Sequence, residues 1–273
     1  MIRLTLPCIV IFALGFIQSA DRTANFPKTM DYVEIMPEKD NLWVFILAGQ
    51  SNMAGRGRVE PEDTLAHPRI LTINSDNEFI RAKEPLHFYE PRLTGLDCGL
   101  SFARQLINEV DEQVTILLLP AAIGGSSIRQ WLDDDHFRGV SLLSNFREKM
   151  ELAKKHGTVK GILWHQGESD ANRESIPVYE ENLSALFTRF RGYAGDESLP
   201  ILMGDIGIFR EEQRANRTGI NDAIRRFTES DANAYRIPTG DLDHIGDFVH
   251  FDSKSLRTMG KRYAGLYSEH LKR

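Results

Sequence analysis

Leu42-Trp43-Val44-Phe45-Ile46-Leu47-Ala48-Gly49-Gln50-Ser51-Asn52-Met53 passes without a break from an apolar run into a small, polar turn. An unbroken apolar run closed by glycine is the pattern of a strand buried on both faces, as in a parallel sheet. Open α/β sheets hold their reactive groups just beyond the carboxyl ends of such strands, which makes Ser51 a candidate nucleophile. Met53 occupies the place of the second glycine in a Gly-x-Ser-x-Gly elbow, so the strained strand-to-helix turn of that motif is not expected.

Apolar runs occur at 43–48, 114–120, 161–164 and 200–203, with helical periodicity at 100–110, 144–156, 178–193 and 213–229 between and after them. This alternation predicts an α/β fold with a parallel sheet. Each run ends in a loop of distinctive chemistry: Gly49-Gln50-Ser51, Ile123-Gly124-Gly125-Ser126, His165-Gln166-Gly167-Glu168 and Gly204-Asp205-Ile206. In a doubly wound sheet these loops gather on one edge. A last helix begins at Asp252-Ser253, either of which can cap it, and carries a core-facing stripe of Leu256, Met259, Tyr263, Leu266 and Tyr267. The long excursion between Met53 and Gly99, which contains a hairpin pattern at 70–74 and 78–82, is expected to roof the site, and the loops at 56–96, 129–131 and 133–136 to shape a sugar pocket.

The 273 residues are 41% hydrophobic, enough for one substantial core. Residues 1–20 hold one basic residue, Arg3, then an apolar stretch and Gln18-Ser19-Ala20, which reads as a signal peptide cleaved near Ala20 and places the protein in a secreted or periplasmic setting. Residues 21–41 are expected to form an exposed lead-in, and 42–273 a single domain. Removal of Arg3 leaves 32 basic and 39 acidic residues, a formal balance of −7 with no long basic tract, which disfavours nucleic acid as a partner. No stable membrane insertion is expected after cleavage, and the sequence does not fix the oligomeric state. Cys8 falls within the signal, leaving Cys98, read as a buried apolar residue without a disulfide partner.

A serine hydroxyl becomes a nucleophile when a base takes its proton and a carboxylate orients that base. Asp247-Phe248-Val249-His250 supplies both partners at a spacing that lets one loop bring the carboxylate to one imidazole nitrogen while the other faces Ser51. The backbone amides of Ser51 and Gly125 and the side-chain amide of Gln166 are candidate oxyanion donors. Asp241, Asp243, His244, Asp247, His250 and Asp252 also form a cluster of metal-ligand residue types, but no recognised ligand spacing appears, and neither metal nor cofactor is expected.

Four blocks together, Gly49-Gln50-Ser51-Asn52-Met53, Ile123-Gly124-Gly125-Ser126-Ser127-Ile128, His165-Gln166-Gly167-Glu168-Ser169-Asp170 and Asp247-Phe248-Val249-His250, resemble the carbohydrate esterase family 6 branch of the SGNH hydrolases, also described as sialate O-acetylesterase-like. The resemblance runs from about Leu42 to Leu271. It implies a three-layer α/β/α sandwich with a flavodoxin-like parallel sheet, and metal-free removal of acetyl groups from carbohydrates. By the same likeness Ser51 is the nucleophile, His250 the base, Asp247 its orienting carboxylate and Gly125 the glycine of the second block. Gln166 stands where other SGNH enzymes place an asparagine. Glu168 is an alternative third member of the triad; otherwise it is expected to organise its loop, accepting local amides or a charge from Arg129 or Arg173.

The competing reading is an inactive carbohydrate-binding protein on the same fold, with Trp131 among the aromatics stacking on sugar rings. Lipid or thioester hydrolysis would need an apolar acyl groove that the sequence does not display. Acetylated xylan and acetylated sialic acid are not distinguished by the loop residues.

Overall fold

Leu42–Gly49 (β1) is the central strand of a seven-stranded sheet in the computed structural model, which describes residues 22–271. The expected signal peptide, residues 1–20, and Cys8 within it lie outside the described residues. The other strands are Ile70–Ile73 (β2), Phe79–Arg81 (β3), Thr115–Pro120 (β4), a small separate hairpin of His136–Phe137 (β5) and Val140–Ser141 (β6), Thr158–His165 (β7), Ile201–Gly204 (β8) and Ala234–Ile237 (β9). The sheet order is β3-β2-β4-β1-β7-β8-β9, parallel throughout except for the β2–β3 pair. Without that appended hairpin, β4-β1-β7-β8-β9 is the 2-1-3-4-5 order of a flavodoxin-like sheet, as expected.

The α-helices are Gly99–Leu106 (α1), Ile128–Leu132 (α2), Leu142–His156 (α3), Tyr179–Ala194 (α4), Glu211–Ser230 (α5) and Ser253–Leu271 (α6). β1 alternates between two cores because successive side chains of a strand point to opposite faces. Val44, Ile46 and Ala48 pack with α2 to α5 through residues such as Trp131, Phe146, Phe187 and Ile220. Phe45 and Leu47 face α1 and α6 through Phe102, Leu256, Met259 and Tyr263. The result is a three-layer sandwich. Asp252 caps α6, its Oδ1 accepting from the Ser255 amide at 2.7 Å, while the Ser253 hydroxyl donates to the Arg58 carbonyl. Cys98 is buried and free, and burial, with Asp97 and Glu84 nearby, pushes its thiol well above the usual range.

The 70–82 hairpin forms and extends the sheet beside β4, because the β2 backbone pairs in register with Ile116 and Leu117; the excursion reaches the cavity through Arg56 and Leu93 instead. The lead-in is exposed at residues such as Ile35, and part of it pairs with β3: the Val33 amide donates to the Phe79 carbonyl and the Arg81 amide to the Asp31 carbonyl. Among the described residues no helix is long and apolar enough to cross a membrane.

Candidate active site

At the end of β1 the chain turns sharply, with the Met53 and Ala54 amides both donating to the Gln50 carbonyl at 3.0 and 2.8 Å. No α-helix begins until α1, so this is not the strand-to-helix elbow that calls for a glycine at position 53. Met53 is buried there and accepts from the Cys98 thiol. Ser51 is 5% exposed at the floor of a cavity of about 590 Å³.

His250 reaches this cavity from the loop before α6. The loop is closed on itself by the Ile245 amide donating to the His250 carbonyl and the Asp252 amide to the Asp243 carbonyl. His250 Nε2 lies 3.0 Å from Ser51 Oγ, and Nδ1 lies 2.6 Å from Asp247 Oδ2. The other Asp247 oxygen accepts the Val249 and His250 amides, each at 2.9 Å. Partial burial pushes the Asp247 carboxyl up, but the His250 amide and ring and the Val249 amide outweigh it and hold the carboxyl below its usual range. The carboxylate is therefore ionised and hydrogen-bonded on both oxygens.

Glu168 does not touch His250. Its Oε1 accepts from Asn52 Nδ2 at 2.6 Å and lies 3.8 Å from His165 Nδ1. Neither expected cation pairs with it: Arg129 reaches Asp133, and the charge felt across from Glu168 is that of Arg217.

Gln166 corrects an expectation. It is fully buried, and its two Nε2 hydrogens are shared among Asp170 Oδ2 at 2.5 Å, the Ser126 carbonyl at 3.1 Å and Gln50 Oε1 at 3.2 Å. The Tyr179 hydroxyl donates to its backbone carbonyl at 2.8 Å and lies 2.9 Å from its Oε1. An amide held on all sides ties the Ser51, Gly125 and Asp170 loops together and has no hydrogen left for a reacting oxygen. Ser51 and Gly125 differ: they line the cavity, and among the described residues neither backbone N–H has a protein acceptor. Gly125 presents its amide from a left-handed turn at φ +80°.

The wall around Ser51 draws on the 56–96 stretch expected to shape the pocket, through residues whose partners the sequence did not reveal. Arg56 Nη2 donates to Glu90 Oε2 at 2.9 Å, the same oxygen accepts the Gly124 amide at 2.7 Å, and Arg138 binds the other oxygen. Burial pushes the Glu90 carboxyl up, but Arg56, the Gly124 amide and Arg138 together hold it below its usual range. Arg22, bonded to the carbonyls of Arg92 and Leu93, and the buried Arg217 also line the cavity. These pairings join positions far apart in the chain and leave no periodic trace; only the density of charge in the 56–96 excursion hints at them.

Trp131 is not at the surface. It is completely buried, its ring set edge-on to Trp164 and Phe190 and its Nε1 donating to Ser126 Oγ at 2.9 Å. The acidic loop is likewise engaged: Asp241 pairs with Arg262, and His244 Nδ1 accepts the Gly246 amide. Among the described residues no His, Cys, Asp and Glu groups converge as a metal site.

A sequence profile of the family described as carbohydrate esterase, sialic acid-specific acetylesterase matches residues 41–269. A probable carbohydrate esterase of Arabidopsis thaliana is 31% identical over 178 residues, 58% of this chain and 66% of that relative, so the match spans just under two thirds of the relative's length. The X-ray structure of that Arabidopsis protein superposes with a TM-score of 0.73 at 27% identity, over 84% of this chain and 98% of the other. A carbohydrate acetylesterase of Xanthomonas citri has the same fold, with a TM-score of 0.65 at 17% identity over 85% of this chain and 57% of its own. The sandwich is the SGNH-type esterase fold.

Proposed function

The chain belongs to the carbohydrate esterase family of sialic acid-specific acetylesterases, and from that premise we propose that it is an exported serine esterase, of the family 6 type, that removes O-acetyl groups from a carbohydrate. The observation that carries this reading is His250 held between Ser51 and Asp247 at 3.0 and 2.6 Å. His250 Nε2 takes the Ser51 proton as Oγ attacks the acetyl carbonyl, and Asp247 stabilises the imidazolium that forms. The amides of Ser51 and Gly125 donate to the tetrahedral oxyanion. His250 returns the proton to the departing sugar oxygen, then deprotonates a water that releases acetate from Ser51. Residues 1–20 act as a leader removed on export, and 42–273 form one catalytic domain.

Between the two substrate classes, acetylated sialic acid is the better supported. Arg22, Arg56, Arg138 and Arg217 line the cavity with Glu168 and Asp247; Glu90 occupies Arg56 and Arg138, which leaves Arg22 and Arg217 as the cationic groups that a sugar carboxylate could meet and that a neutral xylan would not use.

Ser51→Ala is expected to abolish turnover of a chromogenic acetyl ester while the protein stays folded, and acetate release should be faster from acetylated sialic acid than from acetylated xylan or pectin. Activity retained in Ser51→Ala would remove Ser51 as nucleophile. Sugar binding with no acetate release from any of the three would instead make this an inactive binding protein.

A further inference from the structure

Asn52, the residue after Ser51, is completely buried and holds the backbone on both sides of His250. Its Nδ2 donates to the Val249 carbonyl at 3.2 Å, and its Oδ1 accepts from the Phe251 amide at 3.0 Å. A single side-chain amide thus joins the turn that carries the serine to the peptides flanking the histidine. The third contact of Asn52, Nδ2 to Glu168 Oε1 at 2.6 Å, is its shortest.

An asparagine amide can turn over by half a rotation, exchanging its oxygen and nitrogen. Here that exchange would set Oδ1 against the Glu168 carboxylate and the Val249 carbonyl, and NH₂ against the Phe251 N–H, so all three contacts would become repulsive. Glu168 supplies the charged acceptor of the set, and charge-assisted hydrogen bonds are about twice as strong as neutral ones. Glu168 Oε2 and the neighbouring His165 Nδ1 are both buried without a protein hydrogen-bond partner, so among the described residues the Asn52 amide is the one protein hydrogen-bond donor to this carboxylate.

We infer that Glu168 is a positioning residue: by fixing the orientation of the Asn52 amide, it sets the place of His250 relative to Ser51. The inference rests on the esterase reading for its consequence in turnover, but its geometric content does not. It also gives the glutamate of the His165-Gln166-Gly167-Glu168 block a role other than third member of the triad.

The test compares Glu168→Met, which keeps the bulk but accepts nothing, Glu168→Gln, which still offers a carbonyl oxygen to Asn52, Asn52→Ala, and the Asn52→Ala/Glu168→Met double variant. Three readouts are taken: kcat and KM on a chromogenic acetyl ester, the rate of Ser51 labelling by a fluorophosphonate, and the NMR signal of the His250 Nδ1–H against Asp247. Glu168→Met and Asn52→Ala should each lower kcat and the labelling rate about 10- to 100-fold with KM nearly unchanged, the scale of a reacting group displaced by a fraction of an ångström to an ångström. The double variant should be no worse than Asn52→Ala alone, because both act along one path. Glu168→Gln should recover to within about threefold of the unaltered protein.

A rise in KM with kcat held would place Glu168 on the substrate and overturn the inference. Multiplying effects in the double variant, or a Glu168→Gln variant as impaired as Glu168→Met, would do the same. If the unaltered protein neither turns over esters nor takes the label, the esterase reading fails. The NMR signal then still decides: it should shift or broaden in Glu168→Met and Asn52→Ala and persist in Glu168→Gln, and an unchanged signal in all variants would refute the positioning role.

Discussion

Asp247 Oδ2 stands 2.6 Å from His250 Nδ1 only three positions further along the chain, and Asp247 Oδ1 accepts the amide of that same histidine at 2.9 Å. The carboxylate therefore shapes the loop and orients the ring at once. Asp247→Asn preserves the shape but favours the wrong imidazole tautomer, so kcat/KM on an acetyl ester is expected to fall about 10³- to 10⁴-fold. A loss below about tenfold would exclude Asp247 from the triad. Its carboxyl lies below its usual range in the folded protein, so its stabilising contribution is present above about pH 4 and is lost as the pH falls through the lowered value. Urea midpoints of the unaltered protein and Asp247→Asn should accordingly differ at pH 6, and the difference should shrink as the pH falls below about 4.

Glu84 has the opposite sign. Complete burial, with Asp97 and Asp63 adding like charge, pushes its carboxyl well above the usual range, even though the Leu86 and Asp97 amides donate to Oε2. The folded chain then binds a proton that the unfolded chain has released, so stability is lost as the pH rises above the ordinary glutamate value of about 4.3. Glu84→Gln removes this liability. Melting temperatures measured from pH 4 to pH 9 should show the variant gaining on the unaltered protein as the pH rises; parallel curves would mean that the carboxyl ionises as freely folded as unfolded.

Trp131 separates packing from sugar binding. Replacing a completely buried tryptophan with alanine costs about 3–5 kcal/mol, which for a protein of this size lowers the melting temperature by roughly 6–20 °C. Trp131→Ala should show this loss, while the Ser126 hydroxyl keeps its bond to the Ile123 carbonyl. An unchanged melting temperature with weakened sugar affinity would return Trp131 to the role of a stacking platform.

Gly124 admits no side chain. A Cβ there would stand 2.0 Å from Arg56 Nη2 and 2.6 Å from Glu90 Oε2, the carboxylate oxygen that also holds the Gly124 amide. Gly124→Ala must displace that pair and with it the loop presenting Gly125, so kcat should fall about 10²- to 10³-fold, the value of one oxyanion donor. A variant within threefold of the unaltered rate would show that Glu90 and Arg56 can yield without disturbing Gly125.

The sheet was legible because parallel strands buried on both faces read as unbroken apolar runs, and the loops after them could be located by where each run stopped. β9 escaped notice: Ala234-Tyr235-Arg236-Ile237 is short and half-buried, and its arginine reaches Asp205 at the sheet edge. The Ser51, Asp247 and His250 positions could be read from spacing. The direction of Gln166 could not, since a strand-end position does not reveal that Asp170, four residues on, claims the amide. Trp131 was misread because α2 is one short turn with little periodicity, although its Ser127 cap, accepting from the Gln130 amide, is a sequence signal for a helix start. The Arg56–Glu90–Gly124 linkage left no mark because it depends on long-range approach of single polar residues.

The pairing of residues 31–33 with β3 bears on how the molecule keeps to itself. β3 is the outermost strand on its side, and a bare outer strand offers its amides and carbonyls as a template to any extended chain. The Asp31 carbonyl and Val33 amide occupy part of that row. A chain cut back to Leu42 would retain Ser51, Asp247 and His250 yet present an open edge, and its failing would appear as self-association at high concentration while each copy kept its chemistry.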